Sequence, residues 1–187
     1  ESIEVVNILS PRFEHALLEV IAPHPSMADE LVTINLSESQ RALVWISGRL
    51  QGIYGPGFYA FWKNSPAARG LDIQTFDVDR FQFEHPRLQA VLEHKDASRW
   101  IEAVDVSSDH DVLLFRNGVF ITQLSPGKHA FWKGTGRLLV KSQDRREQSS
   151  DIAGQEIMTA DKVTLRVNMV VTWRVPDVIK AATVVTD

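Results

Sequence analysis

A stretch of this chain occurs twice, at a constant offset of 70 residues and without a gap. Residues 41–48 (RALVWISG) return as 111–118 (DVLLFRNG), and residues 55–63 (GPGFYAFWK) return as 125–133 (SPGKHAFWK). Self-similarity at a fixed period is typical of tandem modules that bury their apolar faces against neighbouring modules. The repeat therefore favours a structural or assembly role over a single catalytic pocket.

The composition narrows the class of protein. The chain has 187 residues, of which 44% are apolar, and a formal net charge of -4, enough for one large or two small cores. Its only adjacent basic pair is Arg145-Arg146, so a nucleic-acid-binding face is not expected. It has no cysteine, which excludes disulfides, thiolate nucleophiles and Cys-ligated metals.

Periodicity predicts the same order of short elements in both copies. Apolar residues alternate in the strand-like segments and recur at helical spacing after each Phe-Glu-His sequence. The predicted pairs are strands at 3–9 and 71–78, short helices at 13–21 and 83–92, strands at 31–36 and 101–106, and strands at 42–46 and 112–115.

Turn residues divide these strands at matching places. Ser47-Gly48 and Asn117-Gly118 occupy the two-residue position of a tight hairpin, where glycine accepts a positive φ. Pro56-Gly57 and Pro126-Gly127 predict the centres of type II turns. These dipeptides fix where each strand ends.

Beyond about residue 145 the two-fold pattern stops. Residues 163–175 alternate over their whole length, which predicts a long half-buried strand with one apolar face in a core. The opposite face carries Arg166, Asn168 and Arg174. Residues 159–162 predict a hairpin turn before this strand, and residues 178–185 predict a helix after it.

The second half resembles a known family. Residues 111–131, the DRRE sequence at 144–147, residues 154–163 (GQEIMTADKV) and the strand to Asp177 are similar to the stomatin/prohibitin/flotillin (SPFH, or band 7) domain, most of all that of bacterial slipins. The likeness covers roughly residues 107–187, and residues 37–64 resemble only the opening strands of such a domain. The repeated β modules are also similar in arrangement to those of the vault protein family.

The resemblance implies a non-enzymatic scaffold that forms homo-oligomers and organises or restrains partner membrane proteins, such as a membrane protease. It also implies a cytoplasmic location and attachment to the bilayer through segments outside residues 1–187. The chain begins at Glu1 rather than Met, which favours a fragment of a longer protein. The family's apolar N-terminal segment and coiled-coil helix are not in this sequence, and Ala153-Gly154 stands where stomatins often carry prolines.

The sequence lacks recognisable catalytic and metal-binding motifs. Six histidines are the best candidates for a metal or base, but they lack the spacing of a metal-binding motif, and no Gly-x-Ser-x-Gly elbow is present. We therefore predict no catalytic residue, no cofactor and no metal, and we interpret the Phe-Glu-His sequences as helix-start and packing features. A ligand- or carbohydrate-binding protein that uses the repeated Trp-Lys pairs, or a vault-like shell component, is the alternative.

The predicted fold is a β-dominated α+β chain made of tandem small modules leading into an SPFH-like domain. The predicted modules are the end of a preceding module (1–36), a complete repeat module (37–106) and the SPFH-like domain (107–187). The residues expected to shape modules or their contacts are Gly48, Pro56, Gly57, Trp62, Gly118, Pro126, Gly127, Trp132, Arg166 and Arg174.

Overall fold

The computed structural model describes the backbone of residues 6–184 and the side chains of residues 6–181. The chain divides into two compact units: Glu1–Ala103 with Ala130–Thr135, and Val104–His129 with Gly136–Asp187. Antiparallel strands dominate both units and the helices are short, so the predicted β-dominated α+β class is confirmed.

The first copy of the repeat forms two three-stranded antiparallel sheets. Its elements are β1 (Arg12–Phe13), α1 (Leu18–Ile21), a 3-10 helix (Pro25–Met27), β2 (Leu31–Leu36), β3 (Gln40–Ile46), β4 (Arg49–Tyr54), β5 (Gly57–Trp62), a second 3-10 helix (Pro66–Ala68) and β6 (Leu71–Asp77). One sheet has the strand order β1-β5-β2, and the other has the order β4-β3-β6.

The second copy repeats this order of strands. Its elements are α2 (Leu88–Leu92), α3 (Ala97–Trp100), β7 (Ile101–Val106), β8 (His110–Arg116), β9 (Val119–Leu124), β10 (Gly127–Trp132) and β11 (Leu138–Asp144). Strands β7 to β10 begin and end 70 residues after β2 to β5. Strand β10 pairs with β7, and the other sheet has the order β11-β8-β9. The predicted equivalence of residues 37–64 and 107–134 is confirmed.

The two hairpin turns explain why both copies fold alike. Ser47 and Gly48 have φ angles of 48° and 77°, and Asn117 and Gly118 have φ angles of 53° and 82°. A type I′ turn requires positive φ at both central residues and matches the twist of the flanking strands. The predicted hairpins are therefore confirmed.

The two Pro-Gly turns differ from the prediction in type. Gly57 and Gly127 have the expected positive φ, but at 141° and 129° rather than the roughly 80° of a type II turn. Each glycine is already the first residue of a strand, and Gly57 pairs with Leu36. Strand pairing therefore pulls the glycine backbone towards an extended geometry, and the type II prediction is wrong.

The copies differ in the connection to their last strand. Strand β6 begins nine residues after Trp62, whereas β11 begins six residues after Trp132. The second copy has no counterpart of the 3-10 helix at Pro66–Ala68. Despite the shorter connection, the registers correspond, because Leu71 pairs with Ile46 and Leu138 pairs with Arg116, the residue equivalent to Ile46.

Two predictions, for the helices after the Phe-Glu-His sequences and for the first strand, need correction. The helices are shorter than predicted, because Phe13 lies in β1 and pairs with Ala60, and Phe83 donates its backbone N–H to the Ala130 carbonyl oxygen. Phe13 and Phe83 are therefore hydrogen-bonded to a neighbouring strand, and each helix begins only after the Phe-Glu-His sequence. Of the predicted strand at 3–9, residues 6–9 form irregular backbone and a turn, and the rest lies outside the described residues.

The last part of the chain is a long two-stranded ribbon, β12 (Gln148–Met158) with β13 (Thr164–Trp173), followed by helix α4 (Val178–Val184). The predicted turn, strand and helix are present. The predicted burial is wrong, because Leu165, Met169 and Trp173 on the apolar face are each more than 40% exposed. A two-stranded ribbon has no second layer of its own to cover a face.

The compact units and the predicted modules divide the chain at different places. Strands β1, β2 and β5 share one sheet, so residues on both sides of position 36 pack together. The first unit also contains the helical segment of the second copy, up to Ala103. The module boundaries at 36 and 106 therefore stay predictions. In the first compact unit, the first copy packs together with part of the second.

Candidate functional site: the contact between the two copies

The helical segment of the second copy packs against the β4-β3-β6 sheet of the first copy, inside the first compact unit. We call this packing the copy contact. Its buried side chains form one cluster: Leu43, Trp45, Ile53 and Val78 from the first copy, and Phe83, Val91, Ala97, Ile101, Ala130 and Trp132 from the second. Burial of apolar surface is the main driving force for such packing, so the cluster joins the copies firmly.

One end of the copy contact is an aromatic socket. Trp100 lies over the guanidinium of Arg41, with 4.6 Å from the Arg41 Cζ to the ring centroid. A Cβ atom on Gly55 would lie 2.6 Å from Trp100 Cζ2, so only glycine leaves room for the indole. Arg41 is 8% exposed and donates from Nη1 to the carbonyl oxygens of Glu38 and Gln40, at 2.8 and 2.6 Å. Burial lowers the pKa of Arg41.

At the other end of the copy contact, Arg87 and His85 both lie against the ring of Trp45. Arg87 lies over the Trp45 ring at 4.6 Å and donates from Nη1 to the Gly48 carbonyl oxygen at 3.0 Å. His85 stacks on Trp45 with ring centroids 5.5 Å apart, and its Nε2 lies 3.0 Å from Gln74 Oε1. Burial, and then the nearby Arg87 charge, lower the pKa of His85.

Four histidines recur in pairs and shape local turns. In His15, His24, His85 and His94 the Nδ1 atom accepts a hydrogen bond from the backbone N–H two residues later, at 2.9 to 3.3 Å. The Nδ1 lone pair is thus used in the fold. The Phe-Glu-His sequences, interpreted from the sequence as helix-start and packing features, lie just before α1 and α2 rather than at their first residues.

The repeated tryptophans were predicted to be buried or to lie at a contact between modules. Trp132 is 2% exposed and meets the Phe83 ring edge-on, with 4.7 Å between centroids. Trp62 is half-buried and meets Phe13 edge-on at 5.2 Å. The prediction is confirmed for Trp132, whereas the Trp62 ring is only partly covered.

The repeated lysines have matching structural partners. Lys63 Nζ donates to the Ala28 carbonyl oxygen at 3.2 Å, and Lys133 Nζ donates to the Ser98 carbonyl oxygen at 2.6 Å. Both acceptors lie in the helical segment that precedes the strand. Each Lys side chain therefore ties the end of β5 or β10 to its own copy.

The second copy has an open pocket where the first copy has the aromatic socket. The pocket has a volume of about 310 Å³ and is lined by His110, Asp111, Gln123, Leu124, Ser125, Pro126 and Arg145. In the 70-residue register, Asp111 corresponds to Arg41 and Ser125 to Gly55. Asp111 accepts from Gln123 Nε2 at 2.6 Å and pairs with Arg145 Nε at 3.4 Å. The place of the aromatic socket is therefore polar in the second copy, and no indole lies in it.

Charged groups beside this pocket are paired within the chain. Arg146 binds Asp144 at 2.7 Å and holds its pKa down to about 2. His110 Nδ1 lies 2.8 Å from Asp109, and this hydrogen bond lowers the pKa of Asp109. The DRRE sequence thus forms internal ion pairs at this edge of the second copy.

The other predicted interface residues lie mostly in turns and on the ribbon. Gly118, Pro126 and Gly127 belong to the turns of the second copy, and Pro56 begins the turn before β5. Arg166 is exposed on the ribbon, where it pairs across strands with Glu156, and Arg174 is exposed just after β13. Of the predicted residues, Gly48 accepts a hydrogen bond in the copy contact and Trp132 belongs to its buried cluster.

Three residues of the copy contact, Arg41, Gly55 and Trp100, were not predicted from the sequence. Each departs from the repeat, because Asp111 and Ser125 replace Arg41 and Gly55, and Glu30 stands in the register of Trp100. Breaks in an otherwise gapless repeat were the signal that could have found them.

Across residues 6–184, no helix is both long enough and apolar enough to cross a bilayer. Within the same part of the chain, no group of three His, Cys, Asp or Glu side chains could hold a metal ion.

Comparison with known proteins does not identify a family. No protein-family model matches this chain, and no curated protein matches it significantly.

Proposed function

We propose that this chain is part of a non-enzymatic, self-assembling scaffold of the SPFH kind, attached to a membrane on its cytoplasmic side through other segments. In this proposal its partners are further copies of itself and membrane proteins, such as a protease, that it organises or restrains. The proposal rests on the sequence resemblance together with the way in which the two copies pack.

The copy contact is the observation that carries the proposal. Two like modules meet through unlike surfaces, a sheet of one and a helical segment of the next. A contact between unlike surfaces of like units leaves one surface of each kind unused, and such contacts extend into rings or filaments. Packing of this kind suits assembly better than it suits an enclosed active site.

The ribbon gives independent support. One of its faces carries the exposed apolar side chains of Leu165, Met169 and Trp173, and the other carries Arg166. Large exposed apolar patches mark interaction sites in most folded proteins. A ribbon of this kind suits contact with another protein or another copy.

The alternative is ligand or carbohydrate binding by the repeated Trp-Lys pairs. A stacking platform needs an accessible ring face. Burial of Trp132 weighs against the platform, and so does the use of both lysines in hydrogen bonds to their own copies. Trp62 alone retains a partly exposed ring.

The test is the size of the protein in its natural length, purified from membranes with and without detergent. A self-assembling scaffold sediments as a large homo-oligomer in both conditions, and a partner membrane protein co-purifies with it. A natural-length protein that stays monomeric in both conditions contradicts the scaffold and favours the ligand-binding alternative.

A further inference from the structure

The helical segments of the two copies rest on equivalent buried residues but are covered to different extents. We call residues 13–31 together with Trp62 the first-copy helix face. Trp132 is 2% exposed in the copy contact, whereas Trp62, its equivalent 70 positions earlier, is only half-buried. Because the two side chains are identical, the difference in exposure reflects the surface that lies over them.

Other positions of the first-copy helix face differ in the same way. Val91 and Ala97 are 0% and 3% exposed in the copy contact, whereas their equivalents Ile21 and Met27 are half-buried. Among the residues that the structure describes, the cluster of this face receives no side chain from a sheet like β4-β3-β6. The face therefore has room for a cover of the kind that the second copy has.

One residue of such a cover is already in place. Val6 packs against the buried cluster of the first-copy helix face. Its equivalent is Phe76, a residue of β6 that packs against the cluster of the copy contact. At the next covering position, Val78 is buried in that cluster, whereas its equivalent Ile8 is 51% exposed. Residues 6–8 thus correspond to the end of the last strand of the covering sheet.

Chain connectivity shows which sheet fits. In the second copy, the covering strand β6 leads directly into the helical segment that its own sheet covers. Residues 6–8 lead into the first-copy helix face at the same spacing, so the fitting sheet is one that ends at these residues. Neither equivalent sheet within residues 1–187 can serve. The β4-β3-β6 sheet already covers the second copy, and Leu113 and Phe115 of the β11-β8-β9 sheet are 0% and 8% exposed.

We propose that a further copy of the module precedes residue 1 in the natural-length protein and that its three-stranded sheet covers the first-copy helix face. The contact repeats the copy contact one module earlier. Like units that meet through unlike surfaces form an open row, and here the row runs along a single chain. The inference concerns contacts within one molecule, so it stands or falls separately from the scaffold proposal.

Charge on the first-copy helix face indicates the chemistry of the covering sheet. Residues 13–31 contain four acidic residues and no Lys or Arg, whereas residues 83–101 contain three acidic and three basic residues. Glu30 takes the position of Trp100, whose indole lies on the Arg41 guanidinium. A carboxylate at this position favours a basic residue opposite, since complementary charge fixes the register of a contact. We therefore expect a Lys or Arg 70 positions before Arg41.

The opposite end of the first-copy helix face is more apolar than its counterpart. Leu17, which is 59% exposed, takes the position of Arg87, whose guanidinium lies on the Trp45 ring. Burial of an exposed aliphatic side chain against another apolar surface is favourable. We therefore expect an apolar residue 70 positions before Trp45.

Cross-linking within the natural-length chain tests the contact. In the copy contact, Arg87 Nη1 donates to the Gly48 carbonyl oxygen, so cysteines in place of the exposed residues Arg87 and Arg49 are within reach of a short bifunctional maleimide. The Arg49→Cys and Arg87→Cys pair is therefore the positive control. The test pair is Leu17→Cys with a cysteine at the residue 70 positions before Arg49, in a background without other cysteines.

The negative control replaces Leu17→Cys by Arg69→Cys, because Arg69 lies beside the hairpin of its own copy, where Ser47 Oγ donates to its carbonyl oxygen. We expect the test pair to link within one molecule, independently of protein concentration, and at least about tenfold faster than the negative control. A test pair that links no faster than the negative control, or only between molecules, overturns the proposal. So does a natural-length sequence that has no copy of the module before residue 1.

Hydroxyl-radical footprinting of the natural-length protein provides a second readout. It compares the oxidation of Trp62 and Trp132 in one sample, with Leu9, which is 78% exposed, as the reference for an uncovered side chain. The proposal predicts that Trp62 is oxidised as slowly as Trp132. Oxidation of Trp62 that is clearly faster than that of Trp132 contradicts it. The size of the natural-length protein tests the scaffold separately, so either proposal can fail while the other stands.

Discussion

Replacing Gly55 by alanine tests the packing of one copy against the next. The new Cβ would overlap Cη2 of the Trp100 indole and lie 2.6 Å from its Cζ2 and 3.1 Å from its Cζ3. The indole is held in place by the Arg41 guanidinium beneath it, so it cannot simply move aside. Gly55→Ala should therefore strain the copy contact.

The expected loss of stability follows from two opposing terms. Overpacking of a well-packed core costs about 1–3 kcal/mol. Alanine also restricts the unfolded chain more than glycine does, and this offsets about 0.4–1 kcal/mol of the cost. The offset applies because the Gly55 φ angle is not in the positive region. The free energy of unfolding should fall by roughly 1–2 kcal/mol, which lowers Tm by about 2–8 °C in a chain of this size.

Urea or thermal unfolding followed by tryptophan fluorescence measures this change. The matched control is Ser125→Ala, which alters the equivalent, exposed position of the second copy and should leave stability almost unchanged. In a Trp100→Leu background, Gly55→Ala should no longer destabilise, which a double-mutant cycle detects. A Gly55→Ala chain as stable as the natural one would refute the placement of the indole in the socket.

Three further predictions concern single residues. Trp132→Ala should lower the free energy of unfolding by about 3–5 kcal/mol, because its ring is core, and chemical denaturation measures it. Gly118→Ala should destabilise by about 1 kcal/mol, because its φ of 82° disfavours a side chain, although no atom lies within 4 Å of the new Cβ. NMR titration should show Asp144 with a pKa of about 2, rising towards its ordinary value in Arg146→Ala. The stability that this pair contributes is present above the ordinary pKa of Asp and is lost as pH falls towards 2.

Sequence reasoning predicted the repeated strands well, because turn residues at a fixed register leave few alternatives. Ser47-Gly48 and Asn117-Gly118 fix the hairpins, and alternation between them fixes which residues face inwards. It placed the beginning of the first helix of each copy too early, and it wrongly predicted that the apolar face of the ribbon is buried. Phe13 and Phe83 have the spacing of helical residues but are taken up by strand partners that lie far away in sequence.

The copy contact itself could not be read from local patterns. Apolar spacing predicts that a face is buried but not which surface buries it, because that depends on how distant segments pack. The substitutions at Gly55, Trp100 and Arg41 acquire meaning only once these residues are seen together. The alternation in β13 likewise predicted that its apolar face is covered by another layer. Among the described residues no such layer covers it, and the face is exposed.

Sedimentation equilibrium of this chain over about three decades of concentration tests the central claim most directly. The account predicts reversible self-association that is weak in dilute solution and strengthens with concentration. A chain that remains strictly monomeric at every concentration and salt level would contradict it.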